Sequence, residues 1–150
     1  CLAVATAPAA QADKLAIGNA RRCATLQELL ESAETVTLHV DGRSGNRGFF
    51  GEEEFSMMRP RSLFLNLSRG FVVDHTALRR HIEAGHIAGA AFDVFATEPA
   101  NGNPLLDLPN FFGSPHIGAT TMESWGAMLR SGVDGIEKAY HAEPGVYPFD

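Results

Sequence analysis

The sequence predicts an α/β domain built around a parallel β-sheet. Segments typical of strands and of helices alternate along most of its 150 residues, which is the pattern that parallel strands and their crossover helices produce. Short apolar runs rich in β-branched residues mark the strands, and capping motifs mark the starts of the helices. Hydrophobic residues make up 45% of the chain and charged residues 20%, which is typical of a globular domain and not of a disordered chain.

The composition also argues against several classes of function. The 12 basic residues are outnumbered by 18 acidic ones and form no large cluster, so we expect no binding to nucleic acid. No apolar run reaches the ~18 residues that a membrane span needs, so we expect no membrane partner. Cys1 and Cys23 provide neither a disulfide framework nor the spacing of a metal site, which favours a reducing cytoplasmic location and no bound metal.

The predicted strands are short apolar runs. Thr35-Val-Thr-Leu-His-Val40 has the β-branched, apolar character of a buried strand, and the small residues of 87–92 predict another that ends at Asp93. In chain order, the sequence predicts strands at 2–5, 35–40, 62–67, 87–92 and 110–114, and a loop over 8–19.

The first two predicted helices are recognised by their ends. Thr25 and Glu28 have the spacing of a capping box, which predicts a helix to about Ser32. Residues 52–58 predict a short helix, because its acidic first turn complements the helix dipole and Pro60 stops it.

Capping residues also define the last two predicted helices. Asp74 is a suitable N-cap for a helix to Ala84, and Gly85 is a suitable C-cap. Thr120 and Glu123 form a second capping box that opens the last helix. Apolar residues then follow at steps of three and four, as an amphipathic helix requires: Trp125, Met128, Leu129, Val133, Ile136 and Tyr140.

Candidate functional residues stand directly after the predicted strands. Parallel sheets bind ligands beyond the carboxyl ends of their strands, so the segments of interest are 39–41, 67–70, 93–98 and 114–119. Together these segments supply Arg69, Asp93, Glu98 and His116.

This set of side chains suits proton transfer on an anionic substrate. His116 can act as a base or an acid near neutral pH, and a carboxylate such as Glu98 can fix its tautomer. The guanidinium of Arg69 can hold a substrate carboxylate through two hydrogen bonds. No serine or cysteine lies in a nucleophile-elbow motif, so covalent hydrolysis has little support.

Three segments carry a resemblance to a known family. Residues 66–74 (NLSRGFVVD), 90–99 (AAFDVFATEP) and 114–118 (SPHIG) resemble signature segments of the D-2-hydroxyacid dehydrogenases, and residues 103–110 (NPLLDLPN) resemble the stretch before the last of them. The resemblance extends from about residue 14 to the C-terminus. It implies an incomplete Rossmann-type NAD-binding domain and the NAD-dependent oxidation of a small-molecule D-2-hydroxy acid.

The resemblance also implies roles for individual residues. Arg69 would bind the substrate carboxylate, His116 would accept the proton of the C2 hydroxyl group, and Glu98 would orient His116; these are the expected catalytic residues. The residues implied to line the cofactor are Val40, Leu67, Ser68, Arg69, Asp93, His116 and Gly118, with Asp93 near the nicotinamide carboxamide.

Two shorter segments narrow the implied substrate. Residues 14–20 and 97–100 most resemble the bacterial family members that act on 3-phosphoglycerate, which implies 3-phosphohydroxypyruvate as the product and a role in serine biosynthesis. Reduction of glyoxylate, hydroxypyruvate or another 2-keto acid stays open, because the same three residues would serve it. Two alternatives of other classes also stay open: an NADH-sensing, corepressor-like binding protein and an inactive fragment.

One feature of the family is absent. No Gly-x-Gly-x-x-Gly motif is present to hold the pyrophosphate, since Gly42, Gly45 and Gly48 have another spacing and follow another strand. We therefore interpret residues 1–150 as the C-terminal portion of the NAD-binding domain, with about 120–150 leading back toward a substrate domain outside this sequence. We expect NAD as cofactor, with NADP open, a homo-oligomer (dimer or tetramer) for the complete protein, and no activity from these residues alone.

Four further residues prompt structural expectations. His81 and His86 superficially resemble a zinc motif, but their spacing puts the two rings on different faces of a helix. We therefore interpret them, together with His75, as surface or core histidines. Arg61 stands where the family usually has glycine, so we expect backbone strain there if the turn requires a positive φ.

Overall fold

A computed structural model describes residues 23–138, which form two compact units, 23–116 and 117–138. The strand predicted at 2–5, the loop predicted over 8–19 and the segment 14–20 lie outside the described residues.

The first unit is built on a four-stranded parallel sheet with the strand order β1-β2-β3-β4. Its strands are β1 (Thr35–Leu38), β2 (Ser62–Asn66), β3 (Ile87–Phe92) and β4 (Phe111–Gly113). The register places Val36 beside Phe64, Phe64 beside Ala90, and Phe92 beside Gly113. The predicted α/β class with a parallel sheet is thereby confirmed.

Three strands end earlier than the sequence predicts, β1 by two residues and β2 and β4 by one each. At the end of β2, the side chain of Asn66 accepts a hydrogen bond from the Ser68 N–H and donates one to the Arg69 carbonyl. These local hydrogen bonds replace the sheet ladder, because an asparagine side chain offers the backbone a competing partner. The chain therefore leaves the sheet at Asn66 and forms a loop at the carboxyl end.

Three helices belong to this unit: α1 (Leu26–Ser32) precedes β1, α2 (Glu52–Met57) connects β1 to β2, and α3 (His75–Glu83) connects β2 to β3. Thr25 Oγ1 accepts a hydrogen bond from the Glu28 N–H at 3.1 Å, and the Asp74 carboxylate accepts from two N–H groups of the first turn of α3. These hydrogen bonds confirm the predicted N-caps at Thr25 and Asp74. Such caps can be predicted because they depend on residues of the first turn only. Short 3-10 turns lie at Ser44–Asn46, Gly70–Val72 and Pro104–Asp107.

The hydrophobic core lies on one face of the sheet. Ser62, Phe64 and Asn66 of β2 are buried, whereas Leu63 between them is 46% exposed. The rings of Phe50, Phe55 and Phe64 have centroids 4.7 to 5.0 Å apart, in edge-to-face or tilted arrangements. Packing of this kind stabilises the sheet and fixes the position of its carboxyl end.

The turn before β2 contains the strained residue that the sequence predicts. Arg61 has a φ of 64°, and its N–H donates a hydrogen bond to the His86 carbonyl at 2.6 Å. A residue with a Cβ pays about 1–3 kcal/mol for such a conformation.

The expectation that His81 and His86 lie on different faces was wrong, because their ring centroids are 5.3 Å apart. The helical spacing does not apply, since α3 ends at Glu83 and Gly85, with a φ of 72°, turns the chain back. Within residues 23–138, no group of three or more His, Cys, Asp or Glu side chains is arranged to hold a metal ion.

The second unit contains α4 (Met122–Lys138). The last helix is present, but its cap differs from the predicted one: Thr121 Oγ1 accepts from the Ser124 N–H, so the helix begins one residue later than a Thr120 cap requires. Among the helices of residues 23–138, none is both long and apolar enough to cross a bilayer.

Candidate functional site

The loops at the carboxyl end of the sheet bring Glu98 and His116 together. Glu98 lies in the loop after β3 and His116 in the loop after β4, and His116 Nδ1 is 2.9 Å from Glu98 Oε2. The other carboxylate oxygen of Glu98 accepts the Phe95 N–H, also at 2.9 Å. The loop after β3 therefore holds the carboxylate by its backbone, and the carboxylate holds the imidazole.

The charge of Glu98 decides the tautomer of His116. The pKa of Glu98 is lowered, first by the hydrogen bond from the Phe95 backbone and then by the hydrogen bond from His116. An ionised carboxylate only accepts hydrogen bonds, so His116 Nδ1 must donate to it. Nε2 is then the atom of the neutral ring that can accept a proton.

The backbone at His116 is unusual for a residue with a side chain. Its φ is 55°, and it directly follows Pro115. The N–H of His116 donates to the Ser114 carbonyl at 3.0 Å, and the N–H of Ser114 donates to the Phe92 carbonyl. These bonds tie the histidine to β3, and they maintain a conformation that is uncommon outside glycine.

The loop after β2 presents Arg69. Asn66, which is fully buried, accepts from both the N–H and the hydroxyl group of Ser68 and donates to the Arg69 carbonyl. The guanidinium of Arg69 donates to the Ser68 carbonyl at 2.8 Å. Among residues 23–138, no carboxylate forms an ion pair with Arg69, so this exposed cation can accept an anionic ligand.

Gly70 places the loops after β2 and β3 in direct contact. A Cβ added to Gly70 would lie 1.9 Å from the carbonyl carbon of Phe95 and 2.1 Å from the nitrogen of Ala96. Any other residue would push the two backbones apart. The segment that carries Arg69 is thus packed against the segment that carries Glu98.

Asp93 and Ser114 meet at the ends of β3 and β4. The Ser114 hydroxyl donates to the Asp93 carboxylate at 2.6 Å, and Asp93 is 8% exposed. The Asp93 N–H donates to the Asn66 carbonyl. Asp93 therefore lies at the carboxyl end of the sheet, as do the loops that carry Arg69 and Glu98.

A cavity of about 470 Å³ borders the Glu98–His116 pair. Its other walls are mostly apolar and include Phe95, Pro99 and Leu106. Apolar walls beside a few polar groups are the usual composition of a small-molecule site.

The remaining predicted cofactor residues have different environments. Val40 is half-buried against the core, Leu67 is 52% exposed, and Ser68 is buried with its hydroxyl group bonded to Asn66. Gly118 belongs to the second unit.

Sequence reasoning did not single out Asn66 as the residue that holds the Arg69 loop, nor Phe95 as the donor to Glu98. The first has a local signal, an asparagine at a strand end followed by serine, arginine and glycine. The second has none, since a backbone N–H is present at every residue except proline.

Comparison with known proteins shows the family to which the chain belongs. The sequence profile described as "D-isomer specific 2-hydroxyacid dehydrogenase, NAD binding domain" matches residues 2–118. D-3-phosphoglycerate dehydrogenase of Escherichia coli K12 is 42% identical over 117 residues, which cover 75% of this chain and 28% of the relative. The chain thus spans less than a third of that protein.

Solved structures of the same class superpose well. The holo form of D-mandelate dehydrogenase from Rhodotorula graminis has a TM-score of 0.76 and 26% identity, covering 91% of this chain and 39% of that one. The NADPH-dependent glyoxylate/hydroxypyruvate reductase of Sinorhizobium meliloti, in complex with NADP and malonate, has a TM-score of 0.72 and 29% identity, covering 79% and 37%. The chain belongs to the D-isomer specific 2-hydroxyacid dehydrogenase family, and residues 2–118 correspond to its NAD-binding domain.

Proposed function

We propose that the complete protein oxidises a D-2-hydroxy acid with NAD, and that its substrate is 3-phosphoglycerate. The observation that carries the proposal is the Glu98–His116 pair, which lies at the carboxyl end of a parallel sheet in an NAD-binding domain. The product would be 3-phosphohydroxypyruvate, which enters serine synthesis.

The residues at the strand ends fit a nicotinamide cofactor. Asp93 offers a carboxylate that can accept hydrogen bonds from a carboxamide, and the exposed Leu67 offers an apolar surface for a ring. When bound, NAD supplies the acceptor for the hydride of C2. Its pyrophosphate would need groups other than Gly42, Gly45 and Gly48, whose spacing is not that of the fingerprint.

Each of the three proposed catalytic residues has a defined task. Arg69 binds the substrate carboxylate with its guanidinium and polarises the C2 oxygen. His116 accepts the C2 hydroxyl proton at Nε2, while Nδ1 stays bonded to Glu98. Glu98 stabilises the imidazolium that results, because its ionised oxygen lies 2.9 Å from the ring.

The choice of substrate is supported by the E. coli relative, which is a D-3-phosphoglycerate dehydrogenase at 42% identity. A second candidate is the reduction of glyoxylate or hydroxypyruvate. The S. meliloti structure favours this candidate, since that protein is an NADPH-dependent glyoxylate/hydroxypyruvate reductase with a similar fold. Both reactions would use the same three residues, so only measurement separates them.

The test is a substrate panel with the complete protein and both NAD and NADP. We expect NADH formation with 3-phosphoglycerate to exceed that with D-glycerate or D-lactate, and glyoxylate reduction to be weak. Arg69→Gln should raise KM for the acid because it removes the cation, whereas Arg59→Gln at the opposite end of β2 serves as the matched control. Absence of turnover with every 2-hydroxy acid and 2-keto acid would refute the proposal.

A further inference from the structure

His75, the first residue of α3, is a partly buried polar side chain to which the proposed reaction gives no role. It is half-buried, and its ring lies edge-on to Phe92 and Phe95, with centroid distances of 5.5 and 6.3 Å. Phe95 is the residue whose N–H holds Glu98, so the ring of His75 packs against the loop that carries the catalytic carboxylate.

The tautomer of His75 follows from its neighbour Asn103. The Oδ1 atom of Asn103 accepts the Leu105 N–H, so the amide orientation is determined and Nδ2 must face His75. Nδ2 can only donate, so His75 Nδ1, at 3.2 Å, accepts. The neutral ring therefore carries its proton on Nε2.

The rest of the ring is in an environment that disfavours charge. Nε2 is buried and has no partner in good hydrogen-bond geometry within the part of the chain that the structure describes, although the ring lies near the Gly70 backbone. Burial lowers the pKa of His75, and the Gly70 backbone and the Asp74 carboxylate offset only part of this effect. His75 is thus a neutral ring near the backbone of Gly70, and Gly70 in turn packs against the Phe95 backbone.

We propose that His75 is a positioning residue that sets the separation of Arg69 from the Glu98–His116 pair through its contacts with Gly70, Phe95 and Asn103. The proposal rests on the function assigned above to these three site residues. It differs from a packing role, because it requires the Nδ1 hydrogen bond to Asn103 as well as the shape of the ring. Asn103 lies 28 residues from His75 in the chain, so their bond ties α3 to the segment after β3.

The test compares His75→Phe with His86→Phe in the complete protein. His75→Phe keeps a ring against Phe95 and removes the hydrogen-bond acceptor for Asn103. The loops that carry Arg69 and Glu98 should then shift relative to each other. We expect KM for the 2-hydroxy acid to rise and kcat to fall, each about tenfold, because small misplacements of catalytic groups are costly. KM for NAD should rise less than KM for the acid, since Ser68, a proposed cofactor residue, is held by Asn66 and not by His75.

His86→Phe is the matched control, because His86 is half-buried like His75. Its ring is hydrogen-bonded to the backbone carbonyl of Phe55 and not to the loops of the proposed site. It should lower stability without changing either KM. If His75→Phe does not fold, Asn103→Ser replaces it: the serine hydroxyl can still cap the Leu105 N–H, and the bond to His75 Nδ1 is lost. Kinetic constants that match those of the control would overturn the proposal.

A second readout separates this proposal from the proposed function. Imidazole 15N shifts should show His75 protonated on Nε2, and His75→Phe should move the His116 ring signals more than His86→Phe does. If the wild type turns over no 2-hydroxy acid, the proposed function fails, and these shifts alone decide the positioning role. Unmoved His116 signals would contradict it.

Discussion

Residues 23–138 contain two glutamate–histidine pairs of almost the same length, and only one is proposed to be catalytic. His116 Nδ1 lies 2.9 Å from Glu98, and His81 Nε2 lies 3.0 Å from Glu52. The two glutamates are similarly exposed, 38% and 54% by side chain. The histidines differ, since the side chain of His116 is 48% exposed and that of His81 only 12%.

The partners of each carboxylate explain the difference. Glu52 also binds Arg80 at 2.7 Å, and this hydrogen bond is the largest influence that lowers the pKa of Glu52. The main influence on the pKa of Glu98 is instead a backbone N–H, and among residues 23–138 no second cationic side chain forms an ion pair with Glu98. The Glu52 cluster joins α2 to α3, whereas the Glu98 pair borders a cavity at the strand ends. A glutamate–histidine pair is therefore not a site by itself; its place in the fold makes it one.

The largest expected effect tests the two histidines against each other. His116→Gln in the complete protein should lower kcat/KM by about 10²- to 10⁴-fold, because it removes the proposed general base. His81→Gln should leave kcat/KM close to the wild-type value, since His81 links two helices far from the proposed chemistry. Steady-state kinetics with 3-phosphoglycerate check both, and similar losses in the two variants would invalidate the comparison.

The next effect concerns the packing beside His81. Phe55 is fully buried, and its ring centroid is 5.7 Å from that of His81. Phe55→Ala should lower the free energy of unfolding by about 3–5 kcal/mol, because it leaves a cavity in the core. Phe112→Ala, at a residue 67% exposed, is the matched control and should change little. Denaturant unfolding measures both, and a Phe55 loss no larger than the control's would argue against the described core.

A smaller effect compares the two residues other than glycine that have positive φ within residues 23–138, Arg61 and His116. Arg61→Gly should raise the free energy of unfolding by about 1 kcal/mol, since glycine adopts this conformation without strain. Activity should be unchanged, because Arg61 precedes β2 and the site follows it. His116→Gly should relieve similar strain and abolish turnover. Destabilisation by Arg61→Gly would show that the arginine side chain makes a favourable contact that outweighs the strain.

The smallest effect is the acid sensitivity of the two carboxylates. Folding lowers the pKa values of both Glu98 and Glu52. Each ionised carboxylate therefore stabilises the folded state at pH values above its unfolded-state pKa of ~4.3. This stabilisation is lost as the pH falls through the lower pKa of the folded state. The Tm advantage of wild type over Glu98→Gln should therefore shrink when the pH falls from neutral to below about 4. Glu52→Gln should behave alike. An advantage that is constant with pH would mean that charge does not contribute.

The sequence predicted the parts of this molecule that depend on neighbours along the chain. The strands follow from apolar runs, and the caps at Thr25 and Asp74 follow from their own first turns. The same logic failed at Thr120, where the next threonine caps the helix, because two adjacent threonines offer equivalent hydroxyl groups. It failed for His81 and His86, because a helical spacing has no meaning beyond the end of α3.

By itself, the sequence determined the class of fold, the order of its elements and the positions of Arg69, Glu98 and His116 after successive strands. These features depend on periodicity, capping and the rule that parallel strands end at one edge. Only the tertiary structure decided that Gly70 packs on the Phe95 backbone and that Asn103 bonds to His75. Such contacts join residues far apart in the chain, and they depend on the close packing of loops, which no local pattern encodes.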